Sequence, residues 1–269
     1  MPELPEVETT RRAISQFEGK VIKSSKVNNP NLRWKVDKNF ENIIHDFKIK
    51  EISRRAKYII FNSDTYSILL HLGMSGSLRI LNRASNHFKK HDHVEFIFED
   101  KKIIYNDPRR FGSIHLTKDV ESHFLINKLG LEPLDKKFNG SYLLSVCSKS
   151  KAPIKSLIMN QKNVVGVGNI YACESLFKAK IDPLKESNLM NKGECASLAK
   201  CIKKILRDAI KVGGTTLKDF YSADGSAGYF KFKLKAYGRE NEDCLVCNEK
   251  IIKILQNQRA TYYCNSCQT

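Results

Sequence analysis

Apolar residues in the first segment recur at helical spacing. Leu4, Val7, Ile14 and Phe17 fall at multiples of about 3.5 residues, which predicts a helix over Pro2–Phe17. Pro2 and Pro5 are confined to its first turns, where a missing N–H costs little. Glu3, Glu6 and Glu8 lie toward its start and Arg11 and Arg12 come later, an order that suits the helix dipole. The period then shortens to that of strands. Short runs at Lys20–Val27, Ile49–Ser53, Tyr58–Phe61, Ser67–Leu72, Ser77–Leu81, Val94–Phe98, Ile103–Asn106 and Ser113–Leu116 are punctuated by Asp, Asn, Ser and Gly. Strands at this spacing predict an antiparallel sandwich, with Asn39–Phe47 as a short helix between them.

The character changes near Gly130-Leu131-Glu132-Pro133-Leu134. Helical patterns follow at Ser141–Cys147, Ala152–Met159, Asn169–Phe177 and Gly193–Val212, then a Gly- and Ser-rich stretch from Gly213 to Gly228. Two last runs, Ile251–Leu255 and Ala260–Tyr263, predict a hairpin. The chain reads as α+β: a sandwich domain over 1–130, a linker over 131–150, a helical domain over 151–235 and a small module over 236–269. It contains no internal repeat.

Charge narrows the class of partner. There are 46 Lys and Arg against 29 Asp and Glu in 269 residues, a net charge of +17. Neutralising a phosphate backbone, with release of its counterions, is the natural use of such a surface. A basic, solvated surface is the plainer alternative. No stretch approaches the roughly 18 to 20 consecutive apolar residues of a membrane span. The start, MPELPEVETT, has neither the basic nor the apolar region of a secretory signal. A cytosolic protein with no membrane partner is expected.

Of eight cysteines, Cys147, Cys173, Cys195 and Cys201 are scattered and read as core. Cys244, Cys247, Cys264 and Cys267 form two CxxC pairs in the last 26 residues. Each CxxC turn can point two thiolates at one tetrahedral ion, so one structural Zn2+ is expected; a redox pair is the alternative. Four thiolates fill the shell, which argues against a catalytic metal. Arg259, between the pairs, is placed either for phosphate or as an ordinary surface arginine.

Other residues carry candidate chemistry. A small residue at position 2 permits removal of Met1, exposing the secondary amine of Pro2. An α-amino group has a pKa near 8 against about 10.4 for lysine, so at neutral pH it is uncharged roughly a few hundred times more often. Such an amine can attack an electrophilic sugar carbon and form an iminium, with Glu3 beside it to move a proton. Met-Pro starts are also common without any function. Val165-Gly166-Val167-Gly168-Asn169 is a glycine turn entering a helix, suited to phosphate or simply joining two helices. The segments His71-Leu72-Gly73-Met74-Ser75-Gly76 and Asn106-Asp107-Pro108-Arg109-Arg110-Phe111-Gly112 expose Met, Arg and Phe at strand ends. Side chains of this type can enter a groove and hold the gap left by an extruded base, although Phe111 and Met74 could equally fill a core. His91-Asp92-His93 places two His on one strand face and reads as a polar strand end touching phosphate or solvent, with a metal site as the alternative.

Taken together, these segments resemble the bacterial formamidopyrimidine-DNA glycosylase family. The match begins at Pro2-Glu3-Leu4-Pro5-Glu6-Val7-Glu8-Thr9 and runs through Arg54-Arg55-Ala56-Lys57-Tyr58, the two loop segments above, Gly166–Tyr171 and Tyr237-Gly238-Arg239. It ends with the four cysteines and Gln258-Arg259-Ala260-Thr261. It covers essentially the whole chain. The resemblance implies an N-terminal antiparallel β-sandwich with an N-terminal helix, a helix–two-turn–helix domain and a zinc-finger β-hairpin. It implies a monomeric, cytoplasmic, nucleoid-associated bacterial enzyme of base excision repair, acting on duplex DNA that holds 8-oxoguanine or formamidopyrimidines. Pro2 is implied as nucleophile, Glu3 as proton donor, Lys57 in β-elimination and Arg259 in δ-elimination. Arginine is a poor acid at neutral pH, so the last role reads as mainly electrostatic. DNA contacts are implied for His71, His91, Lys151, Lys155 and Asn169. Met74, Arg109 and Phe111 are implied as the wedge, and Ser222–Gly228 as a loop closing over the base. The sister branch that prefers oxidised pyrimidines usually begins Pro-Glu-Gly-Pro; Leu4 favours purines. Asn160 and Cys173 depart from the usual family residues, off the proposed reaction path.

Overall fold

A computed structural model describes residues 2–214 and 234–269. The loop expected at Ser222–Gly228 lies outside the described residues. The chain divides into two compact units. One holds the residues up to Asn127 together with Gly213 and Gly214; the other holds Lys128–Val212 and 234–269. Among the described residues, no helix is long and apolar enough to cross a membrane.

The first unit opens with helix α1 (Leu4–Ile14), followed by a 3-10 turn over Ser15–Phe17. Glu3 is its N-cap, and a capping box closes with Glu6: the Glu3 N–H donates to Glu6 Oε2 at 2.9 Å, while the Glu3 side chain turns back to the Glu6 N–H. Ile14 and Phe17 are fully buried, and the Phe17 ring lies 4.4 Å from that of Phe98. Glu8 binds Arg11 and Arg12 on α1 and Arg54 on the sheet, which fixes the helix against the sandwich. These three guanidinium partners hold the Glu8 carboxyl below its ordinary pKa despite its partial burial.

Ten strands follow: β1 (Val21–Ile22), β2 (Ser24–Val27), β3 (Phe47–Lys48), β4 (Glu51–Arg55), β5 (Tyr58–Asn62), β6 (Ser67–His71), β7 (Ser77–Asn82), β8 (Asp92–Ile97), β9 (Lys101–Asn106) and β10 (Ser113–Thr117). Two four-stranded antiparallel sheets result, ordered β10-β6-β5-β4 and β2-β8-β9-β7, with β1 paired to β3 beside them. Their facing residues make one core, in which Phe61 stacks on Phe96 at 5.7 Å between ring centroids. This is the antiparallel sandwich that the short runs punctuated by turn residues predict. The helix expected over Asn39–Phe47 is shorter than that: α2 spans only Phe40–Ile43. Asp46 adopts a positive φ of 53°, and Phe47 then pairs with Ile22 in a sheet.

The second unit contains α3 (Gly140–Cys147), α4 (Ile154–Met159), α5 (Asn169–Ala179), α6 (Lys192–Lys211) and the hairpin β11 (Ile251–Gln256) with β12 (Arg259–Cys264). Within residues 131–150, the expected helix at Ser141–Cys147 forms as α3, whose Leu143 and Cys147 are fully buried. Gly140 sits so close to α6 that a Cβ there would lie 2.7 Å from Ala196 Cα. The long helix α6 begins with a capping box between Asn191 and Glu194. Every residue of α5 from Ile170 to Phe177 is buried, the mark of a helix packed on all sides.

Candidate active site and metal centre

The first unit places Pro2 and Glu3 at the positive end of α1, both buried. Glu6, also buried, locks this end through the capping box. Gly214 packs directly on Glu6: a Cβ there would meet Glu6 Oε1 at 2.6 Å, and its φ is +93°. Only glycine fits that approach.

A row of polar residues lies where the strands of the first sheet end. Register aligns Ser113 with His71, His71 with Tyr58, and Tyr58 with Arg55. Lys57 occupies the two-residue turn between β4 and β5, after Ala56 at φ 54°. The Tyr58 and His71 rings are 4.8 Å apart. Gly73 N–H donates to His71 Nδ1 at 3.1 Å, which leaves the ring proton on Nε2. Burial, followed by the charges of Lys57 and Arg33, lowers the His71 pKa to about 4. His71 is therefore a neutral hydrogen-bond donor at physiological pH.

The two exposed loops are joined. Met74 is 38% exposed and Phe111 43% exposed, so neither fills a core. The Arg109 guanidinium lies over the Phe111 ring, 4.7 Å from its centroid. Gly73 approaches the other loop so closely that a Cβ would meet Phe111 C at 2.5 Å. Beneath both loops is Asp107, fully buried. Its carboxylate accepts from Ser75 Oγ at 2.7 Å, Gly112 N at 2.9 Å, Tyr105 OH at 3.0 Å and Arg109 N at 3.3 Å. Sequence reading missed this role, because an Asp before Pro signals only a turn.

His91 is half-buried and its carbonyl accepts from Asp107 N at 3.1 Å. His93 is buried and bonds the Asp107 carbonyl through Nε2 at 2.8 Å. Asp92 between them accepts from Arg79, Asn106 and the Lys89 backbone. Asp92 and His93 are thus turned into the protein and paired there, not toward solvent as the sequence suggests, and His91 alone of the three is half-buried.

In the second unit, Lys151 is exposed just before α4, and Arg259 is exposed at the tip of the β11–β12 hairpin. Asn169 is the first residue of α5, capped by Gly168. Its Nδ2 donates to the Ala260 carbonyl at 2.8 Å. Lys155, implied as a DNA contact, lies on α4, before the glycine turn. It is only 2% exposed, and its ammonium donates to Asn169 Oδ1 and Thr261 Oγ1, both at 2.6 Å, and to Ala260 O at 3.3 Å. Within the protein it joins α4, the start of α5 and the hairpin carrying Arg259. A lysine between Ile154 and Ser156 gives no local sequence signal for such burial.

The four C-terminal cysteines converge. Their Sγ atoms all lie within 4.8 Å of one another, with Cys247–Cys264 at 3.4 Å and Cys244–Cys267 at 3.8 Å. A tetrahedron with metal–sulfur bonds of about 2.3 Å has edges of about 3.8 Å, so the donor set fits one tetrahedral ion. Glu174, 2% exposed on α5, anchors the chain leading into this module, accepting from the backbone N–H groups of Lys235, Ala236 and Tyr237 at 2.9 to 3.1 Å. The signal available for it was a lone carboxylate in an otherwise uncharged run, Ile170–Phe177.

Comparison with known proteins matches this arrangement along the chain. The family model "Formamidopyrimidine-DNA glycosylase N-terminal domain" matches residues 1–114, and "Formamidopyrimidine-DNA glycosylase H2TH domain" matches residues 129–221. The chain is 47% identical over 275 residues to the formamidopyrimidine-DNA glycosylase of Ruthia magnifica subsp. Calyptogena magnifica, covering 100% of both. It is 48% identical over 271 residues to that of Salmonella dublin, again covering 100% of both. Among solved structures, a Lactococcus lactis Fpg complex with N7-benzyl-Fapy-dG DNA is 36% identical, with a TM-score of 0.91 and 100% of both chains covered. A complex of the same organism's Fpg with abasic-site DNA is also 36% identical, with a TM-score of 0.91 and 99% of both chains covered. The chain belongs to the formamidopyrimidine-DNA glycosylase family.

Proposed function

We propose that this protein is a bifunctional DNA glycosylase and abasic-site lyase that removes oxidised purines, 8-oxoguanine and formamidopyrimidines, from duplex DNA in base excision repair. The observation that carries the reading is Pro2, buried at the N-terminus of α1 with Glu3 as its N-cap, in a chain of this family. Loss of Met1 frees the Pro2 amine. Its nitrogen bonds the anomeric carbon as the bond from that carbon to the damaged base breaks, and Glu3 moves the protons at the sugar. Loss of the amine proton and opening of the C1′–O4′ bond, with O4′ taking a proton, then give an iminium that makes the C2′ protons acidic enough for β- and then δ-elimination, with Lys57 and Arg259 serving those steps.

Basic and polar groups would hold the DNA. His71, Lys57, Asn169 and Arg259 suit the phosphates of the damaged strand, with His91 and Lys151 as further contacts. Met74, Arg109 and Phe111 suit the gap left by an extruded nucleotide, being exposed on loops that are braced from below. Lys155 would act by positioning Asn169 and the hairpin. Cys244, Cys247, Cys264 and Cys267 would hold one structural Zn2+, which supplies folding energy to the hairpin and no step of the reaction. The substrate class follows the solved relatives, whose complexes contain Fapy-dG or abasic-site DNA.

The test is borohydride trapping on a duplex with one 8-oxoguanine opposite cytosine. Wild type is run beside Pro2→Gly and a form that retains Met1. A covalent adduct mapping to Pro2, absent from both controls, is expected. Binding without adduct or strand cleavage would overturn the enzyme reading and leave a DNA-binding protein.

A further inference from the structure

Beside the His71 row stands a cation that no motif singled out. Arg33 is exposed, and its backbone N–H donates to the Gly112 carbonyl at 3.1 Å, which sets it against the turn carrying Arg109 and Phe111. Its guanidinium does not swing freely. It stacks on Trp34, with Cζ 4.7 Å from the ring centroid. Trp34 is itself braced edge-on by His115 at 5.5 Å and Phe124 at 6.0 Å. His115 lies on β10, two residues beyond Ser113, the register partner of His71. Arg33 is also close enough for its charge to act on both His71 and Tyr58.

We propose that Arg33 is a further DNA-phosphate contact, held in place by Trp34 and continuous with the His71–Lys57 row. A guanidinium presents a planar fork of donors that matches a phosphate, and stacking on an aromatic ring leaves that fork facing outward while reducing the freedom lost on binding. The charges of Arg33 and Lys57 both act on His71, so the two cations repel each other, and a phosphate beside them relieves that repulsion. The inference rests on the DNA-binding part of the proposed function and is independent of the Pro2 chemistry.

The experiment measures binding of the full chain to a duplex holding a tetrahydrofuran abasic analogue, and to the same duplex undamaged, between 50 and 200 mM salt. Arg33→Gln is expected to lower the slope of log affinity against log salt by about 0.9, the value of one lost phosphate contact. The gap between wild type and variant then shrinks about 3.5-fold across that salt range, equally for both duplexes. Arg33→Lys should keep the slope. Trp34→Leu should weaken binding while the charge remains. Trp34 is the chain's single tryptophan, so its emission should change when either duplex is added to wild type. An unchanged slope in Arg33→Gln, in a variant with wild-type thermal midpoint, would overturn the proposal while wild-type binding keeps the broader reading. A loss confined to the damaged duplex would overturn it too, since a phosphate contact is blind to the base. A wild type that binds neither duplex would overturn both.

Discussion

Ser75 and Asp107 share a buried hydrogen bond of 2.7 Å, and through it the loop of Met74 and the loop of Arg109 and Phe111 become one piece. Ser75 Oγ also accepts from Arg109 N at 3.2 Å, so the hydroxyl is used in both directions. Tyr105 completes the junction. Burial and the neighbouring Asp107 raise its pKa well above the ordinary value, so it remains a neutral donor. Ser75→Ala should cost about 1 to 2 kcal/mol, and Asp107→Asn roughly 3 kcal/mol, because each carboxylate oxygen accepts from a backbone N–H, of Arg109 or of Gly112, and the amide NH2 must face one of these donors. Urea midpoints check the energies. Single-turnover excision should fall further in Asp107→Asn than stability alone explains, since Met74 and Phe111 lose their common support.

The neutral state of His71 has a consequence for pH. Its folded pKa is about 4 against an ordinary 6.5, and burial brings His115 to about 4 as well, aided by His123. Between those values the unfolded chain binds more protons than the folded one. Stability on this account is fully present above pH 6.5 and is lost as pH falls toward 4. The urea midpoint should therefore drop from pH 7 to pH 5, and His71→Gln should flatten part of that drop. DNA affinity should gain nothing from His71 protonation between pH 8 and pH 6. A rise in the salt slope that vanishes in His71→Gln would contradict the neutral assignment.

Much of this was legible in the sequence because the signals are local. The apolar run Ile59–Phe61 is bounded by half-exposed Tyr58 and Asn62, Leu4 to Phe17 keep a helical period, and the CxxC pairs sit astride a hairpin. What was not legible depends on distance along the chain. Asn169 lies 14 residues from Lys155, and Thr261 lies 106 away, so nothing near Lys155 signals that its charge will be buried and satisfied. Glu174 is similar, reaching 61 to 63 residues ahead to the backbone it holds. The stretch 131–150 read as a linker because its opening is rich in turn residues. Yet α3 closes on α6 through Gly140, a contact visible only once both helices are placed.

Metal removal should act on the second unit. A chain purified without chelator should carry one zinc per molecule, measured by elemental analysis, and Cys247→Ser should lower that content. Chelation should melt the β11–β12 hairpin and leave the sandwich intact, because the cysteines and Ile251 form the small core of that module. Glu174→Gln tests its other anchor. Losing a carboxylate that accepts three backbone N–H groups should cost about 2 kcal/mol and speed amide exchange at Ala236 and Tyr237. Exchange in β5 and β6 should not change.

Lys155 offers the sharpest separation of contact from support. If its ammonium touched DNA, Lys155→Met would lower the salt slope by about 0.9, as for any phosphate contact. The buried geometry predicts otherwise. Methionine fills much of the same space but leaves Asn169 Oδ1 and Thr261 Oγ1 without their 2.6 Å donor. The expected result is a loss of about 2 to 3 kcal/mol in stability. The salt slope should stay unchanged, and excision should slow as Asn169 and the Arg259 hairpin lose their shared strut. Asn169→Ala in the Lys155→Met background should then add less than it does alone, because the two side chains act as one unit. Full additivity of the two substitutions would show that Lys155 works independently of Asn169.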